Sequence, residues 1–295
     1  MRDGLMKRSL RDWPASYTSG HGEAAMDEPP SPRRVIVLNC YGRGGSGIVW
    51  RMIGSSPDVI MTGDEWHVGV FGRAKLPRKG AVLAFRSLGI RSFEPLKRYA
   101  FRKTIEMQRP SDLAQKPEAL SCVIKLMDYH IVFSDMIRRS FDSTTFVNLI
   151  RHPYGQCESL MRSGLSLEDA SNWYVDVAKM MDRHVTEAIV VRFEDIVMQP
   201  MQECDQLYRA LGIGWAEDGK FDFKIKPYGE LRTKDLDVRH GAVVRIGAGD
   251  VEGRIDRAVL RSARERLSDG QRDAIWYLTG ETASRFGYDQ AGSLE

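Results

Sequence analysis

The stretch Val35-Ile-Val-Leu-Asn-Cys-Tyr-Gly-Arg-Gly-Gly-Ser-Gly-Ile-Val-Trp50 constrains this chain more than any other part of it. An apolar, β-branched run leads into a turn of glycines with one arginine and one serine, and a second apolar run follows. A strand that ends on such a turn before a helix aims several backbone N–H groups, and the positive end of the helix dipole, at one point in space. Gly42, Gly44, Gly45 and Gly47 let the backbone approach an anion closely. Arg43 can add a forked, charge-assisted bond and Ser46 a hydroxyl. The local reading is a phosphate cradle on a strand–loop–helix.

Comparable apolar runs recur at 35–40, 58–62, 122–127, 146–150 and 188–193. Each is too short for a helix and rich in Val and Ile. Amphipathic segments separate them at 46–55, 84–108, 131–140, 154–163, 167–184 and 199–211. Apolar strands alternating with helices predict an α/β fold with a parallel sheet covered on both faces. Ser166-Leu-Glu-Asp169 suits a helix start and Gly212 a helix stop, and residues 256–286 read as two more helices, the second opened by Ser268-Asp-Gly-Gln271. Residues 1–33, rich in Ser, Gly, Pro, Glu and Arg without periodicity, read as a disordered leader before a single domain spanning 34–290.

The loop of ATPases and GTPases carries Lys-Ser/Thr after its last glycine, for phosphates and magnesium. Here Ile48 and Val49 follow Gly47. The second informative segment is Phe146-Val-Asn-Leu-Ile-Arg-His-Pro-Tyr-Gly-Gln-Cys-Glu-Ser-Leu160: a buried strand ending at Arg151, a turn at Pro153 and a helix carrying Ser159. With both segments in view, the chain resembles the sulfotransferases that use 3′-phosphoadenosine 5′-phosphosulfate (PAPS). In that family a loop of the type Tyr-Pro-Lys/Arg-Ser-Gly-Thr/Ser-Thr holds the 5′-phosphosulfate, and Arg-(Asp/Asn/His)-Pro-…-Ser holds the 3′-phosphate. Arg43 and Ser46 match the first motif, and Arg151 and Ser159 the second. Val190-Val-Arg-Phe-Glu-Asp-Ile196, Pro200, Leu211-Gly212, Thr279-Gly-Glu281 and Arg285-Phe-Gly-Tyr288 are further echoes, so the resemblance spans residues 34–289. The chain departs from the pattern at Gly44 and Gly47, where two hydroxyl side chains are missing and backbone amides must do more.

The resemblance implies a P-loop NTPase-like sulfotransferase fold, PAPS as co-substrate, adenosine 3′,5′-bisphosphate (PAP) as product, and no metal. Arg43 is then the fixed cation for negative charge that builds as the nucleotide leaves. Arg239 and Arg245, in Arg239-His-Gly-Ala-Val-Val-Arg-Ile-Gly247, fall where related enzymes bring a basic loop over the cofactor. The acceptor needs a base, and Asp64-Glu65-Trp66-His67 follows the second predicted strand. Glu65 is favoured, since Trp66 beside it could raise its pKa usefully, with Asp64 and His67 as alternatives. Lys125 is a charge in an otherwise apolar run: it either snorkels out at a sheet end or points toward the transferring sulfate. His130 reads as an ordinary helix-start residue, and Arg192 as half of an ion pair with Glu194 or Asp195. Two other readings stay open: a P-loop nucleotide or small-molecule kinase, and a nucleotide-binding protein that has lost catalysis.

The net charge of the 295 residues is only +3, but it is unevenly spread. From Arg73 to Arg109 there are eleven Lys and Arg against Glu94 and Glu106. Phe85, Phe93, Tyr99 and Phe101 are interleaved. Such a run either solvates a helical face or binds something anionic, such as a charged glycan, a lipid-linked glycan or a membrane surface. No nucleic-acid partner is expected. Cys40 and Cys122 sit in apolar runs, as reduced, buried thiols do. With no long apolar span and no secretory signal, the expected location is the cytoplasm.

Overall fold

In the computed structural model the first apolar run becomes β1 (Arg34–Cys40), the middle strand of a five-stranded parallel sheet. The structure describes residues 34–61, 116, 118–184, 186–216, 219–224 and 243–291. The expected leader 1–33, the basic segment 73–109, Asp64, Glu65, His67 and Arg239 lie outside the described residues. The other strands are β2 (Val59–Met61), β3 (Ser121–Met127), β4 (Ser143–Ile150) and β5 (Ile189–Arg192), in the order β2-β3-β1-β4-β5.

Strand alternation sends Val35 and Val37 to one face and Ile36, Leu38 and Cys40 to the other, so β1 feeds two cores. On the first face lie α2 (Ser134–Ser140), α3 (Pro153–Met161), α4 (Leu167–His184) and α9 (Asp269–Ser284). On the second lie α1 (Ser46–Ser55), α5 (Phe193–Met198), α6 (Pro200–Leu211), α7 (Ala248–Arg254) and α8 (Ala258–Glu265). An antiparallel pair, β6 (Lys220–Lys224) and β7 (Val243–Gly247), adds Phe221 and Ile246 to that second core. The sequence reading missed this pair, and also α5 and α7. The fifth strand stops at Arg192 because Phe193 already opens α5. The segment expected as one helix over 131–140 divides into a 3₁₀ turn (Asp128–Phe133) and α2. Aromatic and β-branched residues in Asp-Tyr-His-Ile-Val-Phe favour the tighter turn over a regular helix start.

β1 and β4 are neighbours, yet the helices that follow them leave toward opposite faces. That arrangement opens a crevice beyond their carboxyl ends, where sheets of this kind hold ligands. The register across the crevice is set by Asn39 opposite Asn148, both buried, with Asn39 Nδ2 donating to Asn148 Oδ1 at 2.9 Å. Cys40 then pairs with Leu149, which brings Arg151 level with the glycine loop.

The end of the described chain returns to this region. α9 starts on a reciprocal cap, Ser268 Oγ accepting from Gln271 N and Gln271 Oε1 accepting from Ser268 N. Beyond α9, the buried Tyr288 hydroxyl donates to Glu194 Oε2 at 2.6 Å. Burial, together with the Glu194 carboxylate, raises the phenol's pKa well above its usual value, so it stays a donor. Glu194 is itself buried, and a hydrogen bond to such a charge contributes roughly 1.5–3 kcal/mol. Tyr288→Phe is expected to lower unfolding free energy by that amount in urea. An unchanged midpoint would mean that water takes over from the phenol.

Candidate active site

The loop between β1 and α1 is held from inside and open on its outer side. Gly42 N donates to Asp128 Oδ1 at 2.8 Å, and Gly44 N donates to Tyr41 O at 3.1 Å. Among the described residues nothing accepts from the amides of Arg43, Gly45, Ser46 or Gly47, and no side chain caps α1. Uncapped amides at a helix start, aided by the dipole, form an anion site. The glycine at 45 is required twice over. Its φ of 84° is left-handed, and a Cβ there would stand 2.2 Å from the Phe193 ring.

The second motif is locked onto the first. Arg43 Nε donates to Ser159 Oγ at 3.0 Å, and Arg151 Nη1 donates to Arg43 O at 3.1 Å. The Arg151 guanidinium also lies over the Phe193 ring, 4.6 Å from its centroid, so that ring sits between the loop backbone and a cation. Among the described residues, two that are not glycine have left-handed backbones, Arg43 (φ 65°) and Asp128 (φ 54°). Gly42 touches one and precedes the other. Backbone of this kind costs about 1–3 kcal/mol and persists where neighbours hold it on several sides.

The sulfotransferase family model matches residues 36–217, more than half of the chain. The chain belongs to the sulfotransferase family. Two solved structures share its fold. One is the sulfotransferase domain from the Synechococcus PCC 7002 olefin synthase, at a TM-score of 0.54 and 18% identity, covering 89% of this chain and 98% of that one. The other is the sulfotransferase domain from the curacin biosynthetic pathway, at 0.54 and 15%, covering 88% and 99%. No curated protein matches the sequence.

Within this sulfotransferase, Gly42, Arg43, Gly44, Gly45, Ser46, Gly47, Arg151 and Ser159 come together. Gly42 and Gly44 brace the loop with their amides, while those of Gly45, Ser46 and Gly47 meet no acceptor among the described residues. Lys125 does not snorkel. It is buried on the α1 face of β3, its ammonium 4.9 Å from the Trp50 ring centroid, one helical turn from Ser46. Arg245 is exposed on β7 opposite Asp222, whose N donates to Ser55 Oγ at 2.9 Å. That is the far end of α1, roughly 15 Å of helix from Gly45, and the structure does not bring Arg245 to the loop. Arg192 Nε meets Asp195 Oδ2 at 2.6 Å, one of its two expected partners. His130 lies in the 3₁₀ turn, Nδ1 2.9 Å from Met127 O. Among the described residues no group of His, Cys, Asp or Glu is arranged to hold a metal ion.

Four residues at the site escaped the sequence reading as functional candidates: Asp128, Gln156, Glu194 and Tyr288. Asp128 Oδ1 accepts from Trp173 Nε1 at 3.0 Å as well as from Gly42 N. A carboxylate directly after a strand, at the ligand-binding edge of a parallel sheet, was the available signal. Gln156 Nε2 donates to Gly42 O at 2.9 Å. Glu194 Oε1 accepts from His152 N at 2.9 Å and so fixes the turn after β4.

His152 explains why this turn carries a histidine. It is the N-cap of α3, its Nδ1 accepting from Tyr154 N at 3.2 Å while Nε2 donates to Asp289 O at 3.1 Å. Both bonds need the neutral ring with its proton on Nε2. Burial lowers the pKa of His152 below its ordinary value; Asp289 O and Glu194 act against this and Arg264 with it. The folded value lies below the unfolded one of about 6.5, so this stability is whole above that pH and is lost as pH falls below it. Unfolding free energy measured from about pH 7.5 to 5 should fall more steeply in the parent than in His152→Asn, which caps without titrating. Parallel curves would place the acid sensitivity at another group.

Proposed function

We propose that this sulfotransferase takes its sulfuryl group from PAPS, releases PAP and delivers the group to a hydroxyl or amine of an acceptor. The observation that carries this reading is the pairing of two anion sites. Outward amides at an uncapped helix start lie one hydrogen bond, Arg43 to Ser159, from a second cation–hydroxyl pair. A 3′,5′-bisphosphorylated nucleoside carries two anionic groups that suit such a pair. A small cavity at the start of α3 supports the second site, since Arg151 and Arg264 both face it. The absence of a lysine after Gly47 speaks against a kinase.

In this reading PAPS supplies an activated sulfuryl group on a phosphate leaving group. Gly45, Ser46 and Gly47 bind its 5′ end, and Arg43 neutralises charge on the departing oxygen. Arg151 and Ser159 bind the 3′-phosphate, with Arg239 closing over the nucleotide. Lys125 adds positive charge beside Trp50, one turn into α1. Glu65 takes the acceptor's proton, and the acceptor is anionic, a glycan or lipid-linked glycan engaged by the basic segment 73–109. No metal takes part. The four cysteines are buried and form no disulfide, as suits a reducing cytoplasm. No helix among the described residues is long and apolar enough to cross a membrane.

The test of the donor is thermal stability. PAP at a hundred times its dissociation constant should add roughly 2.7 kcal/mol, with no dependence on magnesium, and ATP should add little. A magnesium-dependent ATP shift would instead make the protein a kinase. The two arginines should separate by kinetics of PAPS hydrolysis, with water standing in for the acceptor. Arg43→Ala should lower turnover by about 10²–10³ with little change in PAP affinity, and Arg151→Ala should chiefly weaken PAP. The reverse pattern would exchange the roles assigned to the two loops.

A further inference from the structure

The residue that shapes the phosphate loop is none of the defining residues of either motif, but lies between Arg151 and Ser159 of the second. Gln156 is in the first turn of α3 and fully buried. Its orientation is fixed by chemistry: the group 2.9 Å from the Gly42 carbonyl must be the NH₂, because a flipped amide would set oxygen against oxygen. Oε1 then has no hydrogen-bond partner and faces Gly44, 3.3 Å from where a Cβ would stand. A Cβ at position 44 would also stand 3.0 Å from Tyr41 Cβ. Gln156 and Tyr41 thus close the space that the family's usual serine would need.

A peptide group is planar, so fixing a carbonyl fixes the N–H on the other side of the same bond. Gln156 draws the Gly42 carbonyl toward α3 and thereby turns the Arg43 N–H away from α3. Arg151 holds the next carbonyl, that of Arg43 itself. The two peptide planes that flank Arg43 are therefore each gripped by a side chain from the β4–α3 segment. This double grip accounts for the left-handed backbone of Arg43, which neither its sequence nor its exposed position would favour.

We propose that Gln156 is a positioning residue for the sulfuryl donor: by holding the Gly42 carbonyl it sets the backbone of Arg43, and with it the aim of the loop's first free amide and of the arginine side chain. This rests on the donor reading above and adds that the 3′-phosphate segment shapes the 5′ site through Gln156. The residue itself touches neither donor nor acceptor.

The experiment uses the full chain with PAP and adenosine 3′-monophosphate, which lacks the 5′ group. Gln156→Met keeps length and burial but donates nothing. It should weaken PAP by about tenfold, the scale of one hydrogen bond, and change adenosine 3′-monophosphate by less than about twofold. Gln156→Glu, nearly isosteric, guards against a packing artefact. Ionised, it should weaken PAP at least as much, and protonated at acid pH it regains a donor and should approach the parent measured at the same pH. Amide hydrogen exchange in the ligand-free protein should quicken in both variants at Gly42 and Gly44, the loop's two bonded amides, and stay unchanged in β1 and α3. Equal weakening of both nucleotides, unchanged PAP binding, or unchanged exchange of the loop would each overturn the proposal. If the parent binds neither nucleotide, the donor reading fails and the donor-positioning role falls with it, while the exchange data still decide whether Gln156 grips the loop.

Discussion

Everything at the candidate site depends on how β1 is paired with β4. A parallel ladder that slips by one residue sends every side chain to the wrong face and would leave Asn39 and Asn148 buried without each other. Apart from Cys40, the other buried positions of both strands are Val, Ile, Leu and Phe, which bury well in more than one register. The amide pair is what makes a single register favourable. From that register the rest follows: Arg151 arrives level with the loop, α3 starts beside it, and Gln156 and Ser159 come within reach of Gly42 and Arg43.

The hydrogen bonds at the site form a mutual brace more than a row of separate ligand contacts. Arg151 is flanked by an aromatic ring and a loop carbonyl, a setting that uses the flat face and the fork of a guanidinium together. An ammonium could not meet both demands. Beneath the turn, Glu194 receives a backbone amide from one side and a phenol from the other, so its charge is satisfied without solvent. The loop keeps its outer amides open because its inner groups are occupied by Asp128, Gln156, Arg151 and Tyr41.

Much of this was legible in the sequence because it is local. The glycine loop, the five strands, α1, α4 over the whole of 167–184, and the reciprocal cap at Ser268 all rest on spacings within a few residues. Arg192 with Asp195 is of the same kind. What stayed hidden joins residues far apart. Gly42 meets the side chains of Asp128 and Gln156, and the His152 ring meets the Asp289 main-chain carbonyl; in a linear reading these are a strand end, a glutamine in the first turn of a helix and a tail residue. The two phosphate motifs were read as independent sites, because no spacing rule says that the arginine of one holds the serine of the other. β6 and β7 escaped because Lys220, Asp222, Lys224 and Arg245 interrupt their apolar residues, so neither reads as an apolar run.

The fastening of the turn after β4 by residues 288–291, more than a hundred positions later, bears on how the molecule is made. His152, Tyr154 and Arg264 bond the carbonyls of Asp289, Gln290 and Ala291 in succession, and Tyr288 reaches Glu194. During synthesis the glycine loop, the sheet and α3 all leave the ribosome long before these fasteners exist. The nascent protein therefore passes through a stage in which its cleft has an outline but an unsecured wall, and in that interval a buried glutamate has only part of its final company. A chaperone holding such a chain would be shielding the cleft itself, whose wall is secured only once residues 288–291 have been made.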